Sequence, residues 1–273
     1  MTLEIRQATV LGGRVTFSVA VMGSGPAVLY LHPAGGLEFD TFLEDLATRY
    51  TVYAPYFPGT APDAPYEIHH VQTLLDVLLA YEELIDALGL DHPIVIGQSF
   101  GGMLAAEIAA TFPRIPSALV LLDPVGLWRE DLPIANWVTL PLDDLPAILF
   151  HDLDSPGARA MTDLPDDPDA VADIVANLTW ALGCTGKFAW PIPDNGLDRR
   201  LHRISAPTLI VWGEHDALVP VGYATEFATR ITGSQVLVIP ECGHIPQVER
   251  PDVLIPAVRE FLDRACTAGS PGR

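Results

Sequence analysis

The feature that most constrains the fold is a series of short, unbroken apolar runs: Ala27–Leu31, Pro93–Ile96, Leu119–Leu122 and Thr208–Val211. A strand with one wet face alternates apolar and polar residues, whereas a strand covered on both faces reads as apolar throughout. Helical patterns separate these runs. Phe39, Phe42, Leu43, Leu46 and Tyr50 recur at helical spacing, as do Val71, Leu74, Leu75, Leu78, Ile85 and Leu88, closed by Gly89 as a C-terminal cap. Met103–Phe112 is an almost wholly apolar helix. Strands alternating with helices predict an α/β architecture with a mostly parallel central sheet and right-handed crossovers. Ahead of it, residues 3–22 predict two strands around Leu11-Gly12-Gly13-Arg14, because Val15, Phe17, Val19 and Val21 alternate with smaller or polar residues. Thr51–Phe57 predicts a further strand. The C-terminal part predicts a helix near Tyr223–Ile231, a strand at Gln235–Ile239 and a helix over Asp252–Cys266, with a kink or late start at Pro256.

The rhythm breaks between Val125 and Arg203, where Pro, Asp and Trp accumulate and only short, irregular helices are expected. Residues 1–124 and 204–273 therefore read as one core domain, and residues 125–203 as an insertion between two of its strands. The segment Asp143–Asp173 holds nine aspartates and one arginine, a pattern expected of a solvated acidic face. Four of the five tryptophans, Trp128, Trp137, Trp180 and Trp190, also lie in the insertion. They are expected to pack as core; the alternative is an aromatic wall for an apolar substrate group.

With 35 acidic against 15 basic residues, the net charge of −20 disfavours nucleic acid and anionic membrane surfaces as partners. No apolar run approaches the roughly 18 residues of a membrane span, and the N-terminus lacks a basic head followed by an apolar stretch. A cytoplasmic protein acting on a small molecule is the expectation. Cys184, Cys242 and Cys266 are too scattered for a disulfide framework or a metal motif, so they are expected to be reduced and buried. Neither a metal nor a cofactor is called for.

Chemistry concentrates in Gly97-Gln98-Ser99-Phe100-Gly101, between a predicted strand and a predicted helix. A serine on so sharp a turn needs glycine neighbours, and the turn presents its hydroxyl at a helix N-terminus. The hydroxyl also needs a base. His244, in the loop after the strand Gln235–Ile239, is better placed than His69, His70, His92, His151 or His202. An orienting acid is expected in turn. Asp216, just after Thr208–Val211, is the first choice and Asp123, at another strand end, the second; Glu214 and Glu241 are weaker rivals. Oxyanion donors are expected from the backbone N–H of Phe100 and from the loop His32-Pro33-Ala34-Gly35-Gly36. Pro33 has no N–H, which leaves Ala34 as the second donor.

Leu31-His32-x-x-Gly35-Gly36, Gly97-x-Ser99-x-Gly101-Gly102, Trp212-Gly213-x-x-Asp216-x-Leu218-Val219-Pro220 and Gly243-His244 together resemble the α/β-hydrolase superfamily over nearly the whole chain. The order serine, acid, histidine is also that of the superfamily. Within it the chain looks most like small bacterial esterases, enol-lactonases and meta-cleavage-product hydrolases. The resemblance implies a helical cap formed by the insertion, no cofactor, and a Ser99–His244–Asp216 triad acting on a small ester or lactone; acidic residues of the insertion facing the pocket would disfavour a strongly anionic one, so a neutral or weakly charged substrate is the expectation. Carbon–carbon bond hydrolysis, perhydrolysis or acyl transfer on the same triad are alternatives, and a non-catalytic binding role is a remote one. Two departures are His32-Pro33, where the family usually has His-Gly, and Gln98, where it often has His. Arg159 and Arg199 are the cap arginines considered for carbon–carbon hydrolysis.

Overall fold

The computed structural model describes residues 2–189 and 194–268. The elements are β1 (Glu4–Val10), β2 (Val15–Gly23), β3 (Ala27–Leu31), α1 (Thr41–Leu46), β4 (Thr51–Pro55), α2 (Leu74–Ala87), β5 (Ile94–Gln98), α3 (Phe100–Thr111) and β6 (Ala118–Leu122). They continue with α4 (Leu145–Leu149), α5 (Pro156–Thr162), α6 (Pro168–Ala189), β7 (Thr208–Gly213), α7 (Gly222–Arg230), β8 (Gln235–Ile239), α8 (Pro246–Glu249) and α9 (Pro251–Ala268). The eight strands form one sheet in the order β1-β2-β4-β3-β5-β6-β7-β8. β2 runs antiparallel to β1 and β4; every other neighbouring pair is parallel.

The unbroken apolar runs are explained by the two sides of this sheet. Leu29, Leu31, Val95, Leu119 and Leu121 join one core cluster, with α2, α3 and α7. Val28, Tyr30, Ile94, Ile96, Val120 and Leu122 join the other, with α1 and α9. Successive side chains point to opposite faces, so both sets must be apolar.

Helix and strand boundaries differ from the sequence expectations where capping and tight turns decide them. α2 begins at Leu74 because the Thr73 side chain accepts the Asp76 N–H and the Asp76 carboxylate accepts the Thr73 N–H, a reciprocal cap. Gly89 follows it with φ 67°, as a C-terminal cap requires. β5 extends through Gly97 and Gln98, and α3 starts at Phe100, so only Ser99 separates them. α9 starts at Pro251, ahead of Pro256, so the late start expected there does not occur.

The larger correction concerns the insertion. Instead of short pieces alone, it carries the 22-residue α6. Only its second half is buried, through Ala181, Cys184, Thr185, Gly186, Phe188 and Ala189. The first half is largely exposed, with Leu178 at its end packing against the core, so little imposes an apolar period there and its pattern reads as irregular. α6 lies over the loops that leave β3 and β4. Trp180 Nε1 donates to Gly59 O at 2.9 Å and Lys187 Nζ to Val71 O at 2.6 Å, while Thr185 Oγ1 has its one proton between Ala181 O of its own helix at 2.9 Å and Ala34 O at 3.2 Å. Among the described residues no helix is long and apolar enough to cross a membrane.

Candidate active site

Ser99 occupies the junction of β5 and α3 with φ 54° and ψ −115°. A non-glycine residue keeps so crowded a backbone only where its surroundings over-determine it. The neighbouring glycines make the bend possible. A Cβ on Gly97 would run into the Gly101 carbonyl, and a Cβ on Gly101 into the Leu31 carbonyl at the end of β3. The bend is tied by the Ser99 N–H to Leu122 O (2.8 Å) and by the Val125 N–H to Ser99 O (3.2 Å). The hydroxyl thus stands at the start of a 12-residue helix, whose first amides lack intrahelical acceptors and favour negative charge.

His244 follows β8. Its Nε2 lies 2.8 Å from Ser99 Oγ and its Nδ1 2.7 Å from Asp216 Oδ2. With the imidazole neutral, Nδ1–H donates to the carboxylate and Nε2 accepts the serine hydroxyl proton, the relation a general base requires. Asp216 Oδ1 accepts the N–H groups of Leu218 (2.9 Å) and Val219 (2.8 Å), which fixes the carboxylate. All three residues are buried. Of the rival acids, Glu214 and Glu241 are exposed. Asp123 is wholly buried at the end of β6, where its Oδ1 accepts the Gly213 N–H at 2.8 Å and makes no bond to His244. Burial, and the adjacent charge of Asp216, push its carboxyl well above the usual range.

The backbone of the His244 loop is clamped by groups that no motif announces. The His244 N–H donates to Leu149 O (2.7 Å), the Gly243 N–H to Glu249 Oε2 (2.6 Å), and Gln98 Nε2 to His244 O (2.9 Å). Gly243 is required by this crossing, since a Cβ there would meet Leu149 O at 2.6 Å and His151 N at 2.7 Å. Gln98 is thus a strut behind the histidine. Glu249 left no recognisable signal, and Leu149 contributes only a backbone atom, which side-chain patterns do not encode.

Of the two remaining candidates, Ala34 lies in the loop after β3 and Phe100 at the start of α3. His32 Nδ1–H donates to Pro33 O (2.7 Å), and His32 Nε2 accepts the Phe57 N–H (2.9 Å). Burial lowers the His32 pKa to about 4, keeping it neutral for this role. The bonding uses the Pro33 carbonyl, which also accepts the Gly36 N–H at 3.2 Å, so the proline fits without strain on the pattern. The Ala34 carbonyl accepts Thr185, and its N–H has no acceptor among the described residues. Phe100 opens α3 with its ring packed edge-to-face on Phe57 at 5.1 Å, and Phe57 in turn meets Phe188 of α6 at 5.7 Å.

Asp123, Asp216 and His244 are the one grouping of metal-capable side chains among the described residues. Both His244 nitrogens are already engaged by Asp216 and Ser99, an arrangement of proton transfer rather than ligation. The nine aspartates of Asp143–Asp173 are all exposed, as a solvated acidic face requires. Trp137 is buried, Trp128 half-buried and Trp180 exposed; Trp190 lies outside the described residues. Arg159 pairs with Asp154 at 2.7 Å and Arg199 lies 3.7 Å from Asp198, both on the surface. Cys184 and Cys242 are free and buried; the side chain of Cys266 lies outside the described set.

Comparison with known proteins agrees with this architecture. Residues 28–257 match the model of the alpha/beta hydrolase family. An uncharacterised protein of Mycobacterium tuberculosis is 28% identical, over 96% of this chain and 81% of that protein. The 2-hydroxy-6-oxo-2,4-heptadienoate hydrolase of Pseudomonas putida is also 28% identical, over 93% of this chain and 95% of the relative. Among solved structures, a meta-cleavage product hydrolase from Pseudomonas fluorescens superposes with a TM-score of 0.73 at 20% identity, covering 95% of this chain and 98% of that one. The chain belongs to the alpha/beta hydrolase family.

Proposed function

We propose that this enzyme hydrolyses a small, uncharged ester or lactone through an acyl-enzyme on Ser99. The observation that carries the reading is the continuous hydrogen-bond chain from Ser99 Oγ through His244 to Asp216, at 2.8 and 2.7 Å. His244 takes the hydroxyl proton as Ser99 attacks the acyl carbon, and Asp216 stabilises the imidazolium that forms. The N–H groups of Phe100 and Ala34 receive the oxyanion. His244 then protonates the leaving alkoxide, activates water against the acyl-enzyme, and returns the proton to Ser99. Residues 125–203 act as the cap that excludes water and shapes the pocket, with the remaining residues forming the core domain.

The preference for an uncharged substrate rests on where the cations are spent. Arg129 is held by Asp131 and Glu226, Arg159 by Asp154, Arg200 by Glu107, and Lys187 by Val71 O and Gln72, while Arg199, 3.7 Å from Asp198, stands largely exposed on the surface. A dienoate, such as the substrates in the names of several relatives, presents a carboxylate that needs an uncommitted cation. Those names favour carbon–carbon bond hydrolysis as the second reading. Turnover of short p-nitrophenyl esters and fluorophosphonate labelling of Ser99, with esterase activity lost at least ~10⁴-fold in Ser99→Ala, is the expected result. Cleavage of a 6-oxo-dienoate at a far higher kcat/KM than any ester or lactone would transfer the assignment to the second reading. Absence of any labelling would remove both.

A further inference from the structure

Asp123 is a buried carboxyl that the acyl-enzyme chemistry leaves unused. Its side chain is fully enclosed, with Oδ1 satisfied by the Gly213 N–H at 2.8 Å and Oδ2 meeting no hydrogen-bond donor of the protein. One of its oxygens, a carboxylate oxygen of Asp216 and a ring nitrogen of His244 all lie within 4.8 Å of one another. Two carboxylates this close and this buried do not both ionise, because each charge is desolvated and repels the other.

The hydrogen bonds decide which of the two keeps the charge. A carboxylate offers about four acceptor sites, two on each oxygen. On Asp216, Oδ1 is filled by Leu218 and Val219, and Oδ2 accepts His244 Nδ1–H. Three donors stabilise Asp216 as the anion, against one for Asp123. The single open site on Asp216 is the second lone pair of Oδ2, and the single unmatched atom on Asp123 is an oxygen with no donor to accept from. A proton on Asp123 Oδ2 satisfies both at once.

We propose that Asp123 is a positioning residue that remains a neutral acid and donates its proton as a hydrogen bond to Asp216, so that the pair carries one negative charge. This rests on the triad reading given above. Its consequence is for the base. A pair bearing one charge balances the imidazolium formed during attack; a pair bearing two would draw a proton onto His244 in the resting enzyme and remove the base. The other titratable groups facing Asp123 are Glu249, whose charge also disfavours ionisation, and the Cys242 thiol, itself pushed upward by burial.

The test compares wild type, Asp123→Asn and Asp123→Ala. The asparagine keeps an acceptor for Gly213 and supplies a permanent N–H toward Asp216, whereas the alanine supplies neither. At pH 7 the infrared difference spectrum of wild type minus Asp123→Asn is expected to contain the carbonyl stretch of a protonated carboxylic acid. In the pH dependence of fluorophosphonate labelling, Asp123→Asn is expected to keep the acidic limb within a few tenths of a unit. Asp123→Ala is expected to raise it by about one unit, because Asp216 without its donor becomes the stronger partner of the imidazolium. A difference spectrum showing a carboxylate instead overturns the proposal, even if Asp123→Ala fails to fold. So does an acidic limb that moves equally in both variants. Wild type that displays the acid band yet never labels would instead refute the triad reading, separating the two failures.

Discussion

Removing Arg200 tests whether the junction between insertion and core is held by a charge that burial makes costly. Glu107 sits in the middle of α3, the helix that begins beside Ser99, and its side chain is 1% exposed. Arg200, where the chain returns from the insertion, donates from Nε to Glu107 Oε2 at 3.0 Å and from Nη2 to Oε1 at 2.6 Å. Burial holds the Glu107 carboxyl above its ordinary 4.5 even with this partner in place. In Arg200→Met the carboxylate has no donor, and the cheapest escape is protonation. At pH 7 that costs about 1.4 kcal/mol for each of 2.5 units above the ordinary value of 4.5, roughly 3 kcal/mol. The figure agrees with the ~3–5 kcal/mol typical of breaking a buried pair. At pH 5 the same step costs under about 1 kcal/mol.

Urea denaturation at both pH values measures this directly. Arg200→Met is expected to lose about 3 kcal/mol at pH 7, a fall of some 6–10 °C in Tm, and clearly less at pH 5. Glu107→Leu/Arg200→Met, which removes both charges, is expected to recover most of the loss. A single variant within about 0.5 kcal/mol of wild type at pH 7, or a loss independent of pH, would refute the reasoning.

Gly101→Ala is expected to cost several kcal/mol and most of the activity, since its Cβ would meet the Leu31 and His32 carbonyls, whereas Gly183→Ala, with open space around it on α6, should stabilise by about 0.5–1 kcal/mol; thermal melts and ester turnover check both. His32, depressed from 6.5 to about 4, stays neutral in the fold while the unfolded chain takes up a proton. Stability is therefore expected to be unaffected above about pH 6.5 and to fall by roughly 3 kcal/mol between there and pH 4. Asp40, raised to about 6 by burial, works in the opposite direction, gaining its proton before the unfolded chain does, so Asp40→Asn should steepen the acid loss measured by urea midpoints; an unchanged slope would contradict this. Thr185→Val removes the link from α6 to Ala34 O and is expected to lower kcat several-fold with little change in labelling of the free serine by a small fluorophosphonate.

The legible parts of the sequence were those in which one residue type answers one physical demand. The apolar runs had to be two-faced strands, and Gly97 and Gly101 had to be glycines for Ser99 to bend as it does. His244 and Asp216 were legible because strand ends bring them to one edge of the sheet, and their rivals Glu214 and Glu241 lie exposed in the structure. The 22-residue α6 was not legible, because only its second half buries an apolar stripe. Nor was the clamp on His244, built from the Leu149 carbonyl, the Glu249 carboxylate and the Gln98 amide. Such bonds depend on where backbones cross, and crossing is a property of the assembled fold. Asp123 is intermediate: its position at a strand end marked it as an acid of interest, but only the distances separate a neighbour of Asp216 from its substitute.

The close crossings explain how the site divides its labour. Gly97 is pressed against Gly101, Gly101 against Leu31, Gly213 against Gly243, and Gly243 against Leu149, in each case by a backbone carbonyl. Carbonyls in packed strands and turns do not yield as a flexible side chain does, so the reacting groups are set by the main chain of the core. The insertion meets that frame through the Leu149 carbonyl on the His244 N–H, the Val125 N–H on the Ser99 carbonyl, and Thr185 Oγ1 beside the Ala34 carbonyl. These contacts fall on the proposed base, on the proposed nucleophile and beside the proposed oxyanion donor, the groups that would handle charge in the reaction. A substitution in the insertion that shifts α4 or α6 must therefore change kcat together with KM, whereas an insertion that merely roofed the pocket would change KM alone.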